Sequence, residues 1–305
     1  MWVLVAGAAA IQVTARDVPC PFGSGTARVY EAVSADTSGG WDSDLAAYSS
    51  QGQFRAYAVA TCADNLYTVY GRDVGVVIPP EQRSVVEAAL RRAVADVRVR
   101  AEPETWERYR VAGAIYRALG KDAVFLGDLY TEASWVARDD AVGVYLGLHG
   151  PVEARALLDA GWAELRKPLS VVDRKKVLYN LARIAHRGGW GDERDGFLAA
   201  FEAAGSLGPE EVTALARFRR VANTVEPALQ DEALACYLDA LRGTLSADQK
   251  VRVSYVTADL LRRRGRLQEA LTLYFLVAND TEAPDQLRSL SLVLAQPIAD
   301  RLDPR

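Results

Sequence analysis

The sequence predicts an α+β protein that is mainly α, with a small β-rich head followed by a long helical region. Three observations carry this. Apolar residues alternate with period two before Pro79. After Pro80 they recur with period 3.6. Within the helical region a Glu-Ala-Leu string followed by Tyr returns at a near-constant interval.

Residues 1–15 come first. An uncharged apolar run extends from Trp2 to Val13, with small residues at Ala8 and Ala10 and again near Ala15. This fits the apolar core of an export signal, although no charged segment precedes it. The plainer alternative is a buried first strand, since Val3, Val5 and Val13 are strand formers.

Residues 16–79 form the head. "TARVYEAVSA" and "FRAYAVATC" alternate; in the second, Phe54, Ala56, Ala58 and Ala60 share one face and Arg55, Tyr57, Val59 and Thr61 the other. Gly39-Gly40 marks a loop between them. "WDSDLAAY" sets Asp42 and Asp44 two residues apart beside Trp41 and Tyr48, with Asp64 and Asp73 elsewhere in the head. Paired carboxylates suit a cation or acid–base chemistry. With Arg55, Tyr57, Asp64 and Asn65 they make a candidate head site, such as a hydrolase or carbohydrate-binding module would use. The plainer expectation is a capped turn opening a short helix at Asp42 or Ser43.

Residues 80–305 read as eleven or twelve helices. In the first, Val85, Ala89, Ala93 and Val97 form one row and Val86, Leu90 and Val94 the next. Ser170 with Asp173, and Ser246 with Gln249, stand at the offset of N-capping pairs. Gly188-Gly189 and Gly265 read as helix stops. The basic string Arg262 to Arg266 coincides with the second stop and reads as a solvated helix end. Glu232, Ala233, Leu234 and Tyr237 recur as Glu269, Ala270, Leu271 and Tyr274, 37 residues on, and Glu153-Ala154 is a weaker copy. Around the last copy, Ala258, Leu261, Gly265, Ala270 and Tyr274 fill the small, large, glycine, small and aromatic positions of a tetratricopeptide-like unit. Gly113, Tyr116 and Gly120 match half of another. Such units stack into a helical solenoid whose concave face binds protein or peptide, and Tyr109, Arg110, Tyr116, Arg117 and Tyr145 are the candidate lining of that groove. Cys236, among Ala233, Tyr237 and Ala240, reads as a core thiol.

Composition narrows the function. Acidic residues outnumber basic ones 40 to 36, so no basic surplus points to nucleic acid. His149 and His186 are the only histidines, which leaves a histidine-rich metal centre without ligands. No apolar run reaches the length of a membrane span. Neither a phosphate-binding loop, a dinucleotide fingerprint, a nucleophile elbow nor a zincin string occurs. These readings favour a non-enzymatic interaction protein without a cofactor.

"VPCPFGSG" and "ATCADNLY" each look like half of a zinc knuckle whose second cysteine is missing. Together with "WDSDLAAY", "FLGDLYTEASWVARDD" and "LLRRRGRLQEALTLYFLVAND" they resemble the bacterial family called domain of unknown function 2225. The likeness touches most of the chain from Val18 to Asn279, and the string from Leu126 to Tyr130 through Trp135 is its most distinctive part. It implies a zinc-ribbon-like head on tetratricopeptide-like helices and supplies no reaction. The family's metal binding through its cysteines does not carry over, because Gly23 and Asn65 stand where two ligands belong. A ribbon sets its two turns side by side, so the remaining Cys20 and Cys62 are expected to form a disulfide. That bond requires an oxidising compartment and agrees with the export-like start.

Overall fold

A computed structural model describes residues 12–34, 36–95, 97, 103–143 and 145–303. The chain is mainly helical and divides into two compact units, one of Met1–Gly39 and Ala47–Lys121, the other of Gly40–Ala46 and Asp122–Arg305. The expected border at Pro79 therefore moves to Lys121. Residues 1–11, and with them most of the export-like run, lie outside the described residues.

In the first unit, β1 (Gln12–Pro19) and β2 (Thr26–Ser34) form an antiparallel hairpin. Cleavage after Ala10 would leave this hairpin whole; cleavage after Ala15 would remove the residues paired with Ser34 through Tyr30. After β3 (Gly40–Trp41), which belongs to the second unit, come β4 (Ala47–Tyr48), β5 (Val59–Thr61) and β6 (Thr68–Tyr70). β5 and β6 are antiparallel, and a bridge from Ala27 to Cys62 joins the two hairpins. The alternating run from Phe54 is a strand only in its second half. Phe54–Tyr57 is a 3₁₀ turn, and the Tyr109 hydroxyl donates to the Arg55 carbonyl at 2.7 Å, giving it a partner outside any ladder.

Two helices complete this unit, α1 (Pro80–Ala93) and α2 (Thr105–Ala118). Their membership has a physical cause in α2. Tyr109 and Tyr116 are buried against Tyr70 of β6, at ring-centroid distances of 6.4 and 5.9 Å. The Tyr116 hydroxyl accepts from the Tyr70 N–H at 2.8 Å and donates to Asp73. An amphipathic helix goes where its large side chains are buried, and here that is the strand layer.

The second unit contains α3 (Ala123–Val142), β7 (Leu148–His149), α4 (Gly150–Leu165), α5 (Val171–Gly188) and α6 (Gly191–Ala203). It continues with α7 (Pro209–Arg220), α8 (Glu226–Ala240), α9 (Ala247–Arg263), α10 (Leu267–Ala278) and α11 (Asp285–Leu302). β3 pairs in parallel with β7. The capping signals hold: Ser170 Oγ accepts from the Asp173 N–H, and Ser246 and Gln249 form a reciprocal capping box. Gly189 and Gly265 end their helices at φ +74°, the left-handed region that glycine enters without a Cβ clash.

Residues read as repeat positions lie in helix-pair contacts. Ala258, Leu261, Ala270 and Tyr274 are all buried, and α9, α10 and α11 pack consecutively, as do α4, α5 and α6. The array is not strictly sequential, however. α3 passes over four helices to pair with α8. Gly127 permits this approach: a Cβ there would come within 2.5 Å of the Tyr237 ring. The Tyr237 hydroxyl then donates to Asp128 at 2.6 Å, and Arg252 grips the same carboxylate through both oxygens. The distinctive Leu126-Gly127-Asp128 string is thus the seam of a long-range helix pair. A chain of nearest-neighbour units has no such contact.

Candidate functional site

The Asp42–Asp44 stretch is a tight turn, not the start of a helix. The Asp42 N–H donates to the Ala46 carbonyl and the Leu45 N–H to the Asp42 carbonyl, with Leu45 at φ +68°. β3 delivers this turn into the second unit. Gly40 (φ +100°) lies so close to Leu148 that a Cβ would overlap its carbonyl oxygen at 2.0 Å.

Arginines from three helices meet the turn. Arg138 of α3 donates to Asp42 at 2.9 Å, to Asp44 at 2.6 Å and to Glu226 of α8 at 2.6 Å. Arg187 of α5 donates to Asp42 at 2.7 Å and to the Tyr145 carbonyl. On α9, Arg262 and Arg263 bind Asp259 of the same helix and donate to Ser43 Oγ at 3.0 and 2.9 Å. Tyr255 donates to the Ser43 carbonyl and Tyr274 to Asp259. Asp42, Asp44, Glu226 and Asp259 thus face Arg138, Arg187, Arg262 and Arg263, and no side chain among them is more than 7% exposed. Charges this deep persist only when paired and hydrogen-bonded. Burial alone pushes the Asp44 and Glu226 carboxyls up, but Arg138 overrides it, helped by Arg263 at Asp44 and by His186 at Glu226. Glu226 is held at about 2, and Asp44 well below the usual carboxylate range.

His186 Nε2 lies 2.7 Å from Glu226 Oε2, and its Nδ1 lies 3.4 Å from Arg194 Nη1. A guanidinium only donates, so Nδ1 accepts and the proton resides on Nε2, pointing at Glu226. Burial lowers the affinity of this ring for a second proton, against the pull of Glu226. Both groups set a pH dependence of one sign. The unfolded chain binds more protons at Glu226 below its ordinary value of 4.5, and at His186 below 6.5. Stability is therefore expected to fall as pH drops below about 6.5, and more steeply from about 4.5 toward 2. Urea titrations across this range check the slope; a flat profile would mean that the pair does not exist in the folded protein.

The network opens on one side into a polar cavity of about 230 Å³. A helical irregularity shapes it. α7 runs into α8 through a π-turn, Val221–Val225, in which the Glu226 N–H reaches back five residues to the Val221 carbonyl. The next carbonyl, Ala222, would need the N–H of Pro227, which has none. Arg194 Nη1 approaches that carbonyl at 3.5 Å instead, and its Nη2 donates to Asn223 Oδ1 at 2.6 Å. Turns of this kind recur at functional sites.

A second opening, of about 450 Å³, lies between α9 and α10 and is apolar. Val251 and Val277 are its buried wall residues, and Phe275 and Leu276 stand 43% and 50% exposed at its mouth. Ser254 Oγ, fully buried in its lining, has no partner among the described residues.

The other expected residues are dispersed. Cys20 and Cys62 form the disulfide, with Cα atoms 6.1 Å apart. Asn65 donates to the Phe22 carbonyl at 2.6 Å, tying the two turns where a ligand pair would stand, and Asp64 lies against Gly23. Arg55 sits over the Tyr48 ring and Tyr57, half-exposed, packs on Tyr30, both within the first unit, whereas Asp42 and Asp44 belong to the second. Tyr109 and Tyr116 are core residues; Arg110 and Arg117 are exposed on α2, and Tyr145 lies in the second unit beneath Arg183. Arg262 and Arg263 are buried ion-pair members, not a solvated helix end. Arg138, Arg187, His186, Glu226 and Asp259 escaped the sequence reading. Compared with family profiles, curated proteins and solved structures, the chain matches none.

Proposed function

We propose that the chain is a non-enzymatic protein-interaction module of an oxidising compartment, and that the face formed by α9 and α10 is its docking surface. One observation carries the reading. The apolar cleft between these helices keeps a large aromatic and a leucine half in water, at residues 275 and 276. Clustered apolar side chains left exposed beside a preformed cleft are the usual anchor point of a partner segment. The rim carries Lys250 and Asp280, so a segment with an apolar anchor and polar flanks suits it. The carboxylates that a hydrolytic or saccharide site would need, Asp42 and Asp44, are engaged by arginine below the surface, which favours interaction over turnover.

The Cys20–Cys62 disulfide supports export from the reducing cytosol. No described helix is long and apolar enough to cross a membrane. Membership of the domain of unknown function 2225 family belongs to the same proposal, supported by the Leu126 to Tyr130 string and the paired turns.

Phe275→Asp is expected to weaken a partner recovered from the native compartment by at least about tenfold, the scale of one lost apolar anchor. Leu292→Asp, on α11 and more exposed than Phe275, should leave affinity unchanged. Calorimetric titration of the purified partner reads both. Wild-type affinity in Phe275→Asp would sink the reading.

A further inference from the structure

We infer that the anchor of the segment docked between α9 and α10 is a tyrosine side chain, its ring in the apolar cleft and its phenol on Ser254 Oγ. This rests on the docking surface proposed above and names the chemistry of what that surface holds.

One side chain of the cleft is out of keeping with the rest. Ser254 is 0% exposed, and its hydroxyl has no hydrogen-bond partner among the described residues. Thr257 on the same helix turns its hydroxyl back to the Val253 carbonyl at 2.6 Å, the usual resort of a hydroxyl buried in a helix. Ser254 makes no such bond. A buried polar group left unpaired is costly, so its place in the lining of an open cleft points to a partner from outside the chain. Water fits poorly. A buried water needs about two to four polar partners, and the other buried residues of the lining are Val251 and Val277. Thr272, the second hydroxyl of the lining, already donates to the Gln268 carbonyl at 3.0 Å.

The rest of the lining chooses the anchor. Its charged residues are Lys250, which is exposed, and Asp280, which is half-buried and accepts from the Glu282 N–H; the buried part holds no charge. A carboxylate or ammonium on Ser254 would be desolvated without a counter-charge, which disfavours acidic and basic anchors and a free chain terminus. Leucine or phenylalanine would seal the hydroxyl unpaired. Serine or threonine would bring too little apolar surface to cover Phe275 and Leu276. Tyrosine carries a large apolar ring with a hydroxyl at its far end, and that hydroxyl both donates and accepts, as does that of Ser254. Its ring also gives Phe275, 43% exposed at the mouth, an aromatic partner. The cleft, at about 450 Å³, lies within the range of roughly 300–1,000 Å³ in which ligands are buried.

NMR titration of the full chain with N-acetyl-tyrosinamide and N-acetyl-phenylalaninamide tests the assignment. The tyrosyl probe should shift the signals of α9 and α10. It should bind at least about tenfold more tightly than the phenylalanyl probe, which leaves Ser254 unpaired. Ser254→Ala should cancel that preference. The variant should melt no lower than the parent, since the hydroxyl it removes has no partner within the fold and alanine is the better helix former. Equal binding of the two probes, a tyrosyl preference that survives Ser254→Ala, binding of neither probe, shifts confined to other helices, or an alanine variant that melts well below the parent would each overturn the assignment. The docking surface itself is judged separately, by the affinity of the purified partner for Phe275→Asp. Equal probe affinities beside a partner weakened by that substitution would leave the surface in place and remove the tyrosine alone.

Discussion

Arg138→Leu is expected to be among the most destabilising single substitutions in this chain, at about 3–5 kcal/mol, the usual cost of removing one partner from a buried charge cluster. Its guanidinium joins three of the network's carboxylates: it reaches Asp42, Asp44 and Glu226 from one side chain that is 2% exposed. Without it, Asp44 keeps Arg263 at 3.6 Å and Glu226 keeps His186 and Gln230. Leucine fills much of the volume, so the cost is electrostatic more than steric. That distinction is measurable. The loss should shrink in acid, where the stranded carboxyls take up protons, and Glu226→Gln in the same chain should recover part of it, giving a coupling energy of about 1–3 kcal/mol. Urea denaturation of the single and double variants at two pH values reads both effects. Equal stability of Arg138→Leu and the parent at neutral pH would mean that these ion pairs do not form.

The same cluster shows which parts of the structure were legible in the sequence. Capping pairs and glycine stops were, because each is a local signal set by a few neighbouring residues. The pairing of α9 with α10 was also legible, since the small and aromatic residues Ala258, Ala270 and Tyr274 on either side of a short loop are buried where the two helices pack. The pairing of α3 with α8 was not. Its seam, Gly127 on Tyr237, joins residues more than a hundred positions apart, and no periodicity spans that gap. Asp42 and Asp44 stood out in the sequence, but an acid pair carries no sign of which arginines will meet it. One signal was available. Arg138 shares a helix face with Ser134, Ala141 and Val142, all buried, so a charged residue occupied a core row. Asp259 likewise stands three and four residues before Arg262 and Arg263, the spacing of an ion pair along one helix face. The head misled for another reason. Alternation from Phe54 predicts a strand, and the backbone instead turns to give its carbonyl to Tyr109 from a helix far along the chain.

Replacing both Cys20 and Cys62 with serine is expected to cost the first unit about 4 kcal/mol, by the chain entropy of closing a loop with a sequence separation of 42. The effect should be local. The disulfide joins the turn after β1 to the end of β5, where Ala27 bridges Cys62 and Asn65 holds the Phe22 carbonyl. These contacts should loosen once the covalent link is gone, because the unit has a thin strand layer and takes many of its large buried side chains from α2. Hydrogen exchange on the full chain should therefore show faster exchange in β1, β2, β5 and β6, with α9 and α10 unchanged. Cys236, buried in α8, has no role in this and serves as an internal thiol that stays reduced. The result also bears on compartment. Protein recovered from its native location should give the Cys20–Cys62 peptide under non-reducing digestion. Two free thiols there, with parental exchange rates in the serine variant, would mean that the head folds without the bond and would remove the argument for an oxidising environment.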